Sequence, residues 1–192
     1  HRYTGQDDIT VGSPIAKRNR AEIESIIGFF VNTLVLRIDF AGDPTFRTVL
    51  QRARDVALAA YAHQDLPFEM LVEALHPERN LSVSPLFQVM FDLEGSTLPA
   101  IPVGDLTFSL IEPENGLAKF DLLLTMTEEA GGLRGVFEFN TDLFDAGAIS
   151  AMAGHFQALL AGIARDPDGP VAALPLMSDA ERRLALADWN AT

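Results

Sequence analysis

The sequence predicts an α/β (α+β) lobe, a single mixed sheet flanked by helices. Three observations predict it. Strand-like and helical segments alternate through the first half of the chain, strand-like segments cluster between residues 106 and 141, and a long amphipathic helix follows. The 192 residues suffice for one sizeable domain with a core, and 48% hydrophobic with 21% charged residues is an ordinary globular composition.

In chain order, the polar run Tyr3-Thr4-Gly5-Gln6-Asp7-Asp8 leads into a short strand over 9–12. Ser13-Pro14-Ile15-Ala16 and the basic cluster Lys17, Arg18 and Arg20 read as loop; the cluster is a solvated surface or a contact for an acidic partner or phosphate. Residues 28–40 form the clearest strand, rich in Phe, Val, Leu and Thr. Phe30, Asn32, Leu34, Leu36, Ile38 and Phe40 share one face, and Phe29, Val31, Thr33, Val35 and Arg37 the other. Both faces are largely apolar, which predicts a central strand covered on both sides. Asn32 and Arg37 then stand where water is scarce and need partners, because an unpaired buried polar group costs about 1–3 kcal/mol.

Asp43 as cap and Pro44 at the first helical position predict a helix to about Tyr61, with Phe46, Val49, Leu50, Ala53, Val56, Ala57 and Ala60 at helical spacing. Pro67 opens a shorter helix to Leu75, ended by His76-Pro77. A strand over 86–93, a Pro- and Gly-bearing connection over 95–105 and a strand over 106–111 follow. Residues 120–127 and 133–141 predict a hairpin around Gly131-Gly132. Residues 146–164 are an amphipathic helix capped by Asp145, its stripe formed by Ile149, Met152, Phe156, Leu159, Leu160 and Ile163. Residues 167–175 read as a linker, and Ser178-Asp179-Ala180-Glu181 as a capping box opening a helix to about Asp188.

The formal net charge of −13 repels phosphate backbones and argues against nucleic-acid partners. No apolar run approaches the roughly 20 residues of a membrane span, and no signal peptide precedes the fold. The absence of cysteine removes disulfides, thiolate catalysis and Cys-ligated zinc, and fits a cytoplasmic setting. The start at His1 reads as mid-sequence, a fragment of a longer polypeptide.

No self-contained catalytic machine is legible. A glycine-rich phosphate loop, a Gly-x-Ser-x-Gly elbow and a His-Glu-x-x-His helix are all missing. His1, His63, His76 and His155 lack a second His at metal-ligand spacing, so no metal is expected. His63-Gln64-Asp65 pairs a potential base with a carboxylate, but turn chemistry at a helix end explains every residue type there. Asn32 is either a hydrogen-bonding group lining a substrate channel or an internal tie from sheet to loop. Arg37 calls for a carboxylate, from this lobe or another.

Three segments together resemble the condensation domains of nonribosomal peptide synthetases. Ile27-Gly28-Phe29-Phe30-Val31-Asn32-Thr33-Leu34-Val35-Leu36-Arg37 looks like that family's Gly-x-Phe-Val-Asn-Thr strand, and His63-Gln64-Asp65-Leu66-Pro67-Phe68-Glu69 like its His-Gln-Asp-x-Pro-Phe-Glu segment. Arg79-Asn80-Leu81-Ser82-Val83-Ser84-Pro85-Leu86-Phe87-Gln88-Val89-Met90-Phe91 is similar to a third, in family order. Lys119-Phe120-Asp121-Leu122, Asn140-Thr141-Asp142-Leu143-Phe144-Asp145 and Trp189-Asn190-Ala191-Thr192 extend the likeness over nearly the whole chain.

The resemblance implies one chloramphenicol acetyltransferase-like lobe of a two-lobed domain. Such a domain joins an acyl or peptidyl thioester to an aminoacyl amine, both carried on the phosphopantetheine arms of carrier proteins that enter a tunnel between the lobes. It implies residues 1–166 as the C-terminal lobe and 167–192 as a linker and helix leading toward an adenylation domain. The expected partners are the N-terminal lobe, the carrier proteins and that adenylation domain, with no nucleic acid and no membrane, and with no cofactor bound beyond the carriers' arms. The family's His-His-x-x-x-Asp-Gly motif is absent, so no catalytic residue is assigned and the isolated chain is expected to be inactive. By the same resemblance Asn32 faces the tunnel, Ser13 approaches a pantetheine arm and Arg37 pairs with the missing motif's Asp. Two other readings stand beside this one: a non-catalytic interaction module, and a lobe of a free-standing acyltransferase, whose Asp-Phe-Gly-Trp-Gly signature is missing here.

Overall fold

The computed structural model describes residues 1–18, 21–77, 83–95, 101–108, 116–129 and 131–186. The elements are β1 (Asp8–Ile15), α1 (Ala21–Glu24), β2 (Asn32–Asp39), α2 (Phe46–Ala62), α3 (Phe68–Leu75), β3 (Val89–Glu94), β4 (Ile101–Val103), β5 (Leu106–Phe108), β6 (Leu122–Glu129), β7 (Gly132–Phe139), α4 (Ala146–Arg165), a 3₁₀ turn (Val171–Ala173) and α5 (Asp179–Leu186). Five strands form one sheet in the order β2-β1-β3-β6-β7, and β4 and β5 form a separate antiparallel pair. β1 runs parallel to β3 and β3 to β6, whereas β6 and β7 are an antiparallel hairpin. This is the mixed sheet with helices that the alternating and then clustered strand segments predict. The chain divides into two compact units, each built from non-contiguous stretches.

The first unit comprises His1–Thr10, Leu34–Leu66 and Phe144–Thr192. Leu34, Val49, Ile149, Val171 and Leu174 are its buried apolar side chains. The α2 cap is two residues later than the sequence predicts: the Thr45 side chain accepts the Thr48 N–H, while Asp43 adopts a left-handed φ of 49° that no helix start uses. Pro44 instead serves the turn that follows α4, its carbonyl accepting the Val171 N–H. Residues 167–175, read as a linker, are folded here. Thr45 bridges to Pro170, Arg47 pairs with Asp168 at 2.7 Å, and Arg2 donates to the carbonyls of Val171, Ala172 and Leu174. The prolines set the shape of this segment but do not keep it from packing.

By length and mean hydropathy α4 passes for a membrane span, although no uninterrupted apolar run in the sequence is long enough to suggest one. Its Ile149 and Gly162 are nevertheless buried in the fold, and Asp145 caps it through the Ala148 N–H, as expected. The Ser178 capping box is also present: Ser178 N–H and Oγ–H donate to Glu181 Oε2, and Glu181 N–H donates back to Ser178 Oγ. The far end of the expected helix, Asp188, lies outside the described residues.

The second unit comprises Val11–Thr33 and Pro67–Leu143. Phe87, 1% exposed, is its anchor, with Phe68 and Phe120 tilted against it at 5.6 and 5.8 Å between ring centres. Met90, Leu122, Met126 and Thr127 are buried alongside. Gly12 on β1 stands opposite Met90 on β3, and a Cβ there would overlap the Phe87 ring. β3 begins at Val89 rather than 86, because Leu86 has a left-handed φ of 71° and Phe87 turns into the core. The connection read over 95–105 contains β4, and of the strand expected over 106–111, β5 accounts for 106–108; the remainder lies outside the described residues.

Candidate functional site

The strand predicted over 28–40 is regular only from Asn32 and is an edge of the sheet, not its centre. The long apolar run misled here. Ile27 is fully exposed and Phe29 90% exposed, with Ile26 and Val31 also open to solvent.

Asn32 is half-buried at the head of β2. Its Oδ1 accepts the N–H of Phe68 at 3.1 Å. Phe68 is the first residue of α3, whose cap position is Pro67 and provides no side-chain bond. Asn32 thus supplies, from 36 residues away, the acceptor that this helix start lacks. The tie from sheet to loop is the geometry present. It also joins two of the segments singled out in the sequence, because Phe68 belongs to the His63–Glu69 stretch and packs on Phe87 of the third.

Ser13 is half-buried on β1, next to Gly12. Arg37 is exposed, which corrects its placement in a dry environment. It makes a bidentate pair with Asp8: Nε donates to Oδ1 at 2.9 Å and Nη2 to Oδ2 at 2.6 Å. The carboxylate it calls for is therefore met within this chain. Hydrogen bonds from the guanidinium hold the Asp8 carboxyl below its ordinary range against the opposing effect of desolvation, and the guanidinium's charge adds a smaller pull in the same downward direction.

Of the basic cluster, Arg18 is not a solvated side chain. It donates to the carbonyls of Ile23, Glu24, Ile26 and Gly28 and lies 4.5 Å over the Phe30 ring, closing the loop that carries Ile27 and Phe29. Arg20 lies outside the described residues. His63 ends α2, its N–H donating to the carbonyls of Ala60 and Tyr61, and Leu66 N–H returns to the His63 carbonyl. His63 and Asp65 are both exposed on this turn, which is the helix-end arrangement, not a buried acid–base pair. Asp92 on β3 is half-buried, and burial raises its carboxyl above the usual range. Among the described residues no group of three acidic or histidine side chains is placed to hold a metal ion.

Sequence reasoning missed one constellation. Tyr3 Oη lies 2.5 Å from His155 Nδ1, and His155 Nε2 lies 3.2 Å from Glu181 Oε1. The available signal was a histidine set among the apolar positions of α4, beside Phe156.

Comparison with known proteins follows the same lines. Residues 1–186 match the family described as Condensation domain. The chain is 53% identical over its whole length to part of a linear gramicidin synthase polypeptide of Brevibacillus parabrevis, covering 2% of that protein. It is 45% identical over 98% of its length to malpinin synthetase of Mortierella alpina, again spanning 2% of it. Among solved structures, a four-domain nonribosomal peptide synthetase, holo-AB3403 bound to AMP and glycine, superposes on 95% of this chain with a TM-score of 0.86 and 26% identity, the chain covering 15% of that protein. The X-domain from teicoplanin biosynthesis superposes on 92% with a TM-score of 0.81 and 25% identity, the chain covering 41% of it. With the chloramphenicol acetyltransferase-like fold expected of it, this chain belongs to the condensation domains of nonribosomal peptide synthetases.

Proposed function

We propose that this chain is the C-terminal half of a condensation domain and supplies one wall of the channel in which a peptide bond forms. The observation that carries the reading is length: a chain matched to the family over residues 1–186 covers 41% of a solved X-domain and holds no His-His pair. A second lobe of comparable size brings the proton-handling histidine and covers Ile26, Ile27, Phe29 and Val31, whose exposure suits an interface better than bulk water. In the reaction, the aminoacyl nitrogen attacks the thioester carbonyl, a C–N bond forms, the C–S bond breaks, and the thiol departs with the proton the amine loses. No group of this chain needs to become a nucleophile. Bringing two tethered reactants into register contributes roughly 7–11 kcal/mol, and a shaped wall is what supplies it.

In this reading the arms of two carrier proteins deliver the reactants as phosphopantetheine thioesters, Ser13 borders one arm and Asn32 the channel. Asn32 does so as the residue that fixes the start of α3, with its Oδ1 on the Phe68 N–H. Arg37 exchanges Asp8 for the acidic residue of the other lobe when the two halves join. Residues 1–166 form the lobe together with the packed stretch 167–175, the remainder of 167–192 leads on toward an adenylation domain, and the assembly works in the cytoplasm. The test is amide formation between two loaded carrier proteins. The 192-residue chain alone is expected to give no product above the uncatalysed rate, and addition of the N-terminal lobe to restore it; turnover by the chain alone overturns the reading.

A second reading is a non-catalytic docking module. The observation that favours it is the solved complex of the teicoplanin X-domain with OxyB, whose X-domain superposes on 93% of this chain with a TM-score of 0.80. Product from the reconstituted two-lobed domain decides against it.

A further inference from the structure

Three side chains from distant stretches of the first unit meet on α4. His155 is 18% exposed, and each of its ring nitrogens has a partner: Tyr3 Oη at Nδ1 and Glu181 Oε1 at Nε2. The donors sort themselves. An ionised carboxylate only accepts, so Nε2 carries the ring proton, and Nδ1 is left to accept from the Tyr3 hydroxyl. A neutral imidazole satisfies both contacts at once.

Glu181 divides its oxygens between two tasks. Oε2 takes the N–H and hydroxyl of Ser178 at 2.8 and 2.7 Å, the local capping box of α5. Oε1 takes His155. The capping box needs only α5 itself, whereas the bond to His155 connects the start of α5 to a different helix. Arg2, next to Tyr3, holds the carbonyls of Val171, Ala172 and Leu174 on the approach to α5. One N-terminal dipeptide therefore grips both the approach and, through His155, the helix.

The arrangement has the outline of a hydroxyl–imidazole–carboxylate triad, but it is not built to activate the hydroxyl. Burial, and then the negative charge of Glu181, raise the Tyr3 pKa, so the phenol stays protonated and acts as a donor.

We propose that Tyr3, His155 and Glu181 form a latch that docks α5 onto α4. The inference is independent of whether the lobe is catalytic. Tyr3 and Glu181 have no direct bond in this arrangement; they communicate through one ring.

The test is amide hydrogen exchange on the 192-residue chain. Tyr3→Phe removes one oxygen and keeps the ring, and Glu181→Gln keeps a capping-box residue while weakening the acceptor for His155. Each is expected to speed exchange over 179–186 by about two- to tenfold, the range for one net hydrogen bond, with 46–62 unchanged. The double variant should lose less than the product of the two single effects, because either substitution already slackens the shared ring. Nitrogen NMR of His155 should show a protonated Nε2 and an unprotonated Nδ1, with the Nδ1 signal moving in Tyr3→Phe. His155→Ala serves as the full release, and should it unfold the protein, Tyr3→Phe still decides. Wild-type exchange of α5 in Tyr3→Phe, or strictly multiplicative single effects, overturns the latch.

Discussion

Gly12→Ala is expected to destabilise the protein by about 1–3 kcal/mol, the range for overpacking a filled core. Gly12 is buried on β1, and an added Cβ lies 2.6 Å from Cζ of Phe87 and 2.7 Å from its Cδ2. Carbon atoms rest at about 3.5–4.0 Å, so the overlap is on the order of 1 Å. The ring cannot step aside, being 1% exposed and flanked by Phe68 and Phe120. For a chain of this size the loss corresponds to about 2–12 °C in melting temperature. Phe87→Ala alone should cost about 3–5 kcal/mol through lost burial and a residual cavity. The double variant is the sharper experiment. With the ring gone the new methyl has nothing to strike, so the combined cost should fall short of the sum by about the whole Gly12→Ala effect. Urea unfolding of the four proteins measures this, and either an unaltered Gly12→Ala midpoint or simple additivity refutes the packing argument.

Asn32→Ala should cost about 0.5–2 kcal/mol by orphaning the Phe68 N–H, and Asn32→Asp should retain most of the stability because it keeps an acceptor and places negative charge at a helix start; thermal melts of both distinguish the cap from a generic loss of side chain. The Asp8 carboxyl should titrate below the ordinary aspartate range by carbon NMR and move upward in Arg37→Gln. Since its folded pKa is the lower one, its share of stability is present above the unfolded pKa and fades as pH falls through the folded value; high salt should shrink the difference. Glu181 follows the same sign, its pKa lowered first by Ser178 and then by His155, so acidification through its folded pKa should raise exchange over α5 before it affects α2.

Much of the architecture was legible because its signals are local. The caps at Asp145 and Ser178, the stop at His76-Pro77 and the hairpin around Gly131-Gly132 depend on neighbouring residues, and each is where the sequence places it. What failed depends on long-range packing. An apolar run such as 28–40 reads the same whether neighbouring strands cover it or it lies open, and only the exposure of Ile27 and Phe29 separates the two. A Pro-bearing stretch such as 167–175 reads as linker until Pro44 and Arg2 are seen to bind it. At the candidate site, the sequence offered two partners for Asn32 without choosing, because its acceptor is used 36 residues away. Arg37 was read as needing a carboxylate, and Asp8 was visible all along, but only the sheet brings it to the guanidinium.

The contact between Arg2 and the Leu174 carbonyl spans 172 residues. It belongs to a unit assembled from the first ten residues, a middle stretch and the final forty-nine, while the other unit takes the two stretches in between. A ribosome delivers such a fold in an awkward order. Arg2 must wait for the carbonyls it binds until the last portion has been synthesised, whereas most of the β3-β6-β7 sheet can zip up much earlier. Closing so large a loop adds only slowly to the entropic cost, but it postpones the reward, and nascent chains arrested before residue 171 should leave the stretch around Arg2 open to proteases that the finished protein shields.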